Sequence, residues 1–352
     1  MKTMRAVMAL RPGVLGLGEL PIPAPGEYEA LVRMEACAIC NSTDHKLLIN
    51  EFFSGAFPTV LGHEVVGTVV ETGSKVANFK PGDRVFRQRL ADQHVPGGRS
   101  TWGGFAEYGV VVDEWTKQGA PYDASILPHD QQKLLLNVEA PLATSMITLM
   151  ETLDCITTCG AAPGKSVAIV GSGPVGQAFA MFAKLLGAGP VYAFGRRAGL
   201  AQRYADVTHC DGYVVNAAED KAVQRIVTQG GFDIVMEAVG SVDAMQQCLA
   251  LAGKTGKVFA YGIPPDSNPY RPEQLAQPNV QNVGAREGRV QAKLVAYVTA
   301  GRVRLHEWMD ICLPLDEYQR GFDLVAPKVP GVYTQKQANK VVLAPTGLTL
   351  HS

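Results

Sequence analysis

A glycine turn sets the strongest constraint on this chain. Gly171-Ser172-Gly173-Pro174-Val175-Gly176 follows the run Lys165 to Val170 and opens the helix-length stretch Pro174 to Leu186. In such a strand–turn–helix the first glycine makes a tight turn and the second lets a pyrophosphate approach the backbone. The third lets helix and strand pack closely. Pro174 suits a first helical turn, where its missing N–H costs nothing, and the free amides there attract phosphate. Further strand candidates follow at Pro190–Phe194, Gly212–Val215, Phe232–Glu237 and Lys257–Tyr261. They alternate with helical stretches at Gly199–Ala205, Asp220–Gln229 and Val242–Leu251. This alternation predicts a doubly wound parallel sheet with helices on both faces.

Residues 1–120 read differently. Short alternating segments such as Glu29–Glu35 and Val65–Glu71 are punctuated by Pro12-Gly13, Pro25-Gly26, Pro81-Gly82-Asp83 and Gly103-Gly104, which predicts an all-β, barrel-like half. Met146–Thr158 is the expected linking helix, a further helix is expected at Arg289–Ala300, and the tail ends in the strand-like Asn339–Leu343. The first domain is therefore expected to be discontinuous, 1–148 completed by 302–352, around a dinucleotide-binding domain at 149–301.

The bulk properties exclude several classes. Lys and Arg total 32 against 33 Asp and Glu, so nothing suggests a nucleic-acid partner. Arg11-Pro12-Gly13 cuts the N-terminal apolar run short of the ~7–15 residues of an export signal, and no stretch reads as a membrane span. An odd set of seven scattered cysteines fits reduced thiols in the cytoplasm better than a disulfide framework.

The second strand of the parallel half bears on the cofactor. A free ribose 2′-hydroxyl calls for a carboxylate there, but Val191–Phe194 runs into Gly195-Arg196-Arg197. Two guanidiniums can grip a 2′-phosphate, so NADP(H) is expected over NAD(H).

In the β half, Cys37-x-x-Cys40 and Ser42-Thr43-Asp44-His45 precede Gly62-His63-Glu64. With Phe79–Val85, Gly103–Tyr108, the glycine turn and Phe232–Gly240, this layout resembles zinc-dependent alcohol dehydrogenases of the medium-chain dehydrogenase/reductase family over nearly the whole chain. The resemblance implies a GroES-like β-barrel catalytic domain beside a Rossmann domain, one catalytic zinc, and hydride transfer between a nicotinamide and an alcohol or carbonyl. It implies Cys40 and His63 as ligands, Ser42 as the hydroxyl at the reacting oxygen, His45 as a proton relay, and Val239 at the cofactor. It also implies a small-molecule substrate and a homodimer or homotetramer. A catalytic zinc takes three protein ligands and leaves one position open.

The third ligand stays open between Glu139, one residue out of register before the linking helix, and Glu64. Asp44 stands one place later than the aspartate that usually orients the ligand histidine. The segment 87–101 has no cysteine, so a four-cysteine structural zinc is not expected. Phe52, Phe53, Phe57 and Trp102 are candidates for a substrate wall. Three rivals remain: a zinc-free reductase of quinones or activated double bonds on the same fold, an NADPH-binding protein without turnover, and a lyase or epimerase that oxidises its substrate only transiently.

Overall fold

Apolar residues alternate through the N-terminal third and pair as antiparallel ribbons in a computed structural model that describes residues 2–53, 55, 57–123, 130–325 and 338–345. β1 (Thr3–Arg11) turns at Gly13, in left-handed backbone at φ 76°, into β2 (Val14–Pro21), with Val7 opposite Leu17. β3 (Glu29–Ala38) is the spine of this half. β4 (Thr59–Val60), β5 (Glu64–Thr72), β6 (Arg84–Phe86), β7 (Arg99–Ser100) and β8 (Tyr108–Val112) complete its N-terminal strands.

β3 pairs antiparallel with both β5 and β8. Its register with β5 slips twice, between Leu31 and Val32 and between Met34 and Ala36. Such bulges add twist. The strand thereby feeds two cores: Ala30 and Val32 pack with Val69, Val85 and Trp115, while Met34 and Cys37 pack with Leu61, Val65 and Phe105.

The second unit, residues 148–286, is a parallel sheet of β9 (Val167–Val170), β10 (Val191–Phe194), β11 (Gly212–Val214), β12 (Ile234–Glu237), β13 (Lys257–Ala260) and β14 (Val280–Asn282). Their order, β11-β10-β9-β12-β13-β14, reverses direction between β9 and β12. Ligands bind doubly wound sheets at the carboxyl ends of strands at such a switch point, and here those ends carry Gly171 and Ala238. The main core of this unit gathers Val170, Phe194, Val235, Met245 and Val258.

Two elements depart from the sequence reading. The expected helix 199–205 shrinks to Ala201–Arg203 followed by a wide π turn, Tyr204–Thr208, closed by His209 at φ 53°. Tyr204 is buried there, its hydroxyl donating to the Gly171 carbonyl at 3.2 Å, so tertiary packing overrides helical propensity. β14 was not anticipated, because a three-residue strand with one β-branched residue carries almost no pattern.

The chain then returns to the first unit, residues 1–147 and 287–352. The return begins earlier than the expected 302. Glu287 pairs with Arg87, and the Gln291 amide donates to Gln132 at 2.6 Å and accepts from the Leu135 N–H at 2.8 Å. These contacts tie 287–301 to the β half. β15 (Ile311–Pro314) runs parallel to β16 (Val341–Ala344), and β16 pairs antiparallel with the end of β3, Val342 opposite Ala38. Among the described residues no helix is long and apolar enough to cross a membrane.

Candidate functional site

Strand register brings the polar residues of the β half together. Ala38 at the end of β3 faces Glu64 at the start of β5 on one side and Val342 of β16 on the other. The residues just past these pairs must therefore converge: Cys40 beyond β3, His63 before β5 and Lys340 before β16. The Ile39 N–H donates to the Val341 carbonyl at 2.9 Å and fixes the third approach.

Cys40, His63 and Glu64 each place a ligand-capable atom within 4.8 Å of the others. His63 and Glu64 are buried, and Glu64 forms a buried ion pair with Lys340. Burial, the largest single cause, would push the Cys40 thiol up and the His63 imidazole down, but the charges and hydrogen bonds around each together outweigh it. Cys40 is held below the usual thiol range by His63, while His63 is raised well above its ordinary value by Cys40 and by Asp44. A sulfur, a ring nitrogen and a carboxylate gathered in a largely buried recess fit a catalytic zinc with one open position.

Asp44 supports this group despite its shifted place in sequence. The helix Thr43–Leu48 starts immediately after Ser42 and carries the fully buried Asp44 inward. One carboxylate oxygen accepts the Cys40 N–H at 2.8 Å; the other accepts the Gly62 N–H at 3.2 Å and lies 3.5 Å from His63 Nδ1. A carboxylate against the second ring nitrogen fixes the orientation of a ligating imidazole.

Glu139 is not brought to this group. It is exposed, and its carbonyl accepts the Ala143 N–H at 2.9 Å at the start of the helix Ala140–Thr158. Glu64 is the carboxylate the fold delivers. Ser42 is also exposed, its hydroxyl accepting a hydrogen bond from Lys46 Nζ at 3.0 Å, while Thr43 beside Asp44 is half-buried. His45 is half-buried with an unpartnered Nδ1, and burial, then Lys46, lower its pKa.

Trp102 lies over the imidazole, its ring centroid 5.0 Å from that of His63, and Phe53 follows at 6.1 Å from Trp102. Phe52 stacks on Phe53 at 4.2 Å, and Phe57 packs against the adjacent core. Trp102 and Phe53 both hold left-handed backbone, at φ 73° and 50°, an uncommon cost that the surroundings must enforce.

In the second unit the glycine turn has the expected shape. Gly171 adopts φ 134°, and a Cβ there would meet the Ala238 carbonyl oxygen at 2.9 Å. A Cβ on Gly176 would overlap the Gly171 carbonyl oxygen. Gly173 caps the helix Pro174–Leu185, with Pro174 in its first turn and Val175 following. Ser172 offers its carbonyl to Arg197 Nη2 at 3.1 Å, which sets that guanidinium beside the turn. Across the switch point, buried Glu237 accepts the N–H groups of Val239 at 3.1 Å and Gly240 at 2.9 Å, and Tyr270 donates its hydroxyl to the same carboxylate. Burial raises Glu237 above the usual carboxylate range. Val239 stays 42 % exposed.

Three residues escaped sequence reasoning. Lys340 gave only a lysine entering an apolar run. Arg87 gave no motif. Tyr213 lies at the edge of the glycine turn, where a Cβ on Gly195 would strike its hydroxyl, and that buried hydroxyl has no hydrogen-bond partner among the described residues.

Comparison with known proteins yields two family matches: the alcohol dehydrogenase GroES-like domain over residues 26–119 and the zinc-binding dehydrogenase domain over residues 174–299. The chain is 27 % identical to D-arabinitol dehydrogenase 1 of Uromyces fabae, covering 92 % of this chain and 95 % of that one. It is 32 % identical to an NADP-dependent isopropanol dehydrogenase of Thermoanaerobacter brockii, covering 67 % of this chain and 72 % of that one. Among solved structures, a putative zinc-binding dehydrogenase from Sinorhizobium meliloti 1021 bound to NADP superposes with a TM-score of 0.72 at 25 % identity, covering 98 % of this chain and 100 % of that one.

Proposed function

The chain belongs to the zinc-type alcohol dehydrogenases of the medium-chain dehydrogenase/reductase family, and from that premise we propose an NADP(H)-dependent alcohol dehydrogenase or carbonyl reductase with one catalytic zinc. The observation that carries the reading is the convergence of Cys40, His63 and Glu64 within 4.8 Å in the β half. A zinc-free reductase would need none of that convergence. When bound, the ion supplies Lewis-acid polarisation of the substrate oxygen and the nicotinamide supplies the hydride acceptor or donor.

The residues of this chain do the rest. Asp44 orients His63, and Lys340 offsets the charge of Glu64. Trp102 screens the imidazole from water. A hydroxyl takes up the substrate proton: Ser42 once released from Lys46, with half-buried Thr43 as its alternative. His45, kept neutral by burial, takes the proton at its buried, unpartnered Nδ1 and gives one up from its other ring nitrogen. The amides of Gly171–Gly176 hold the pyrophosphate, and Val239 flanks the nicotinamide ring.

Metal analysis with an alcohol panel tests the proposal. Near one zinc per chain and reduction of NADP⁺ by a secondary alcohol, polyol or aromatic alcohol are expected; a fully active metal-free protein would sink it. The ligand choice gives a second measurement. Glu64→Ala is expected to lose zinc about 10–100-fold more readily, as loss of metal-site support commonly does. Glu139→Ala should retain its zinc, and the reverse result would return the role to Glu139.

NADP(H) preference rests on Arg196, Arg197 and Tyr213 around Gly195. A charge-assisted hydrogen bond contributes about 1.5–3 kcal/mol, or roughly 10–100-fold in affinity. Arg197→Ser or Tyr213→Phe should therefore raise the KM for NADP⁺ by about tenfold or more while leaving NAD⁺ kinetics nearly unchanged. Equal effects on both cofactors would remove the 2′-phosphate assignment. The reading carries with it a cytoplasmic homodimer or homotetramer, which light scattering decides for the assembly.

A further inference from the structure

Arg87 and Glu287 lie 200 positions apart in sequence, yet their side chains meet in a buried pair, each about 6 % exposed. Arg87 Nε donates to one Glu287 oxygen at 3.2 Å and Nη2 to the other at 2.6 Å. The remaining arm of the fork, Nη1, donates to the main-chain carbonyl of His63 at 3.0 Å. No role in nucleotide binding or proton transfer accounts for this group.

A buried ion pair is weak evidence of stabilisation, because desolvation of both charges offsets their attraction and apolar substitutes often serve equally well. Its distinctive contribution is geometry. Arg87 sits in left-handed backbone at φ 59°, uncommon for any residue other than glycine, and its own backbone is held on both sides. Its N–H donates to the Val65 carbonyl at 2.8 Å, and its carbonyl accepts from the buried Gln131 amide at 2.8 Å. The guanidinium is thus anchored by its main chain at one end and by Glu287 at the other.

We infer that the Arg87–Glu287 pair is a positioning device for the His63 ligand. The peptide before His63 is fixed where the Gly62 carbonyl accepts the Gly104 N–H at 2.7 Å, and the peptide after it where Arg87 donates to the His63 carbonyl. With both flanking peptides pinned and Asp44 beside Nδ1, the imidazole points one way before any ion arrives. Neither residue touches the metal or substrate; both act through His63. The inference rests on the reading of Cys40, His63 and Glu64 as the metal group.

The test separates position from folding. In the double variant R87M/E287L both charges are removed together, so no buried charge is stranded and the metal-free protein should unfold near the wild-type midpoint. Its zinc Kd, measured against a competing chelator, should weaken about 10–100-fold. The visible spectrum of the cobalt-substituted form should shift as ligand geometry loosens, a readout that a merely structural role would not move. Should R87M/E287L fail to fold, Arg87→Lys keeps the charge opposite Glu287 without the fork that reaches His63, and the same weakening is expected. A zinc Kd within twofold of wild type in either folded variant, with an unaltered cobalt spectrum, overturns the inference. A wild-type chain that binds no zinc overturns the metal reading and this inference with it.

Discussion

Cys40→Ser is expected to abolish stoichiometric zinc binding and to lower kcat/KM by about 10³–10⁴-fold. The magnitude follows from Lewis-acid stabilisation of several kcal/mol, with each 1.36 kcal/mol equal to a factor of ten in rate. Serine cannot replace the sulfur, because its hydroxyl stays protonated at neutral pH whereas His63 draws the Cys40 thiol below its usual range. The loss must be local. Cys40 lies beyond the last paired residue of β3, so circular dichroism and the melting profile of the metal-free protein should be unchanged. Elemental analysis beside steady-state kinetics decides the matter. Retained zinc with kcat/KM within tenfold of wild type would show that the thiol is not a ligand.

Lys340→Met is expected to produce the largest loss of stability. The lysine is 5 % exposed and pairs with Glu64, 3 % exposed. Removing one partner of a buried pair leaves the other charge uncompensated and costs about 3–5 kcal/mol. For a unit of this size that is a fall of about 10 °C in the metal-free melting temperature. Two companion measurements locate the cause. The double variant K340M/E64L should recover most of the loss, since no charge is then stranded. Added zinc should also raise the melting temperature of Lys340→Met, because a cation beside Glu64 substitutes for the missing ammonium and binds only the folded state. A single variant that melts like wild type would mean the pair contributes nothing.

What the sequence disclosed and what it concealed divide along a physical line. The glycine turn was legible because backbone chemistry restricts it to a short window: Gly171 needs left-handed freedom and Gly176 needs the absence of a Cβ. The β/α alternation was legible because buried strands and helices impose their own periods. Cys40 and His63 were singled out through a spacing, and the β3–β5 register explains afterwards why the two residues converge. Lys340 was hidden because it reaches Glu64 across 276 positions, through a register that local pattern does not encode. Arg87 was hidden for the same reason. Glu139 stood beside Glu64 as a candidate because a carboxylate near a linking helix looks like a ligand in sequence, where its exposure cannot be read. Asp44 looked displaced because spacing counts residues, whereas the helix that starts at Thr43 decides where the carboxylate lands.

The late arrival of β16 has a consequence for how the protein is made. Val342 and Leu343 pair with Ala38 and Cys37, so the edge of β3 nearest Cys40 has no neighbour on that side until residues 341–344 leave the ribosome. At roughly 5–20 residues per second, about 10–40 s separate the emergence of residue 147 from that of Lys340. Throughout that interval the nascent N-terminal segment carries an open strand edge and a carboxylate without its lysine. Nascent-chain pulse proteolysis should therefore find the intervening nucleotide-binding region protected before the segment that precedes it.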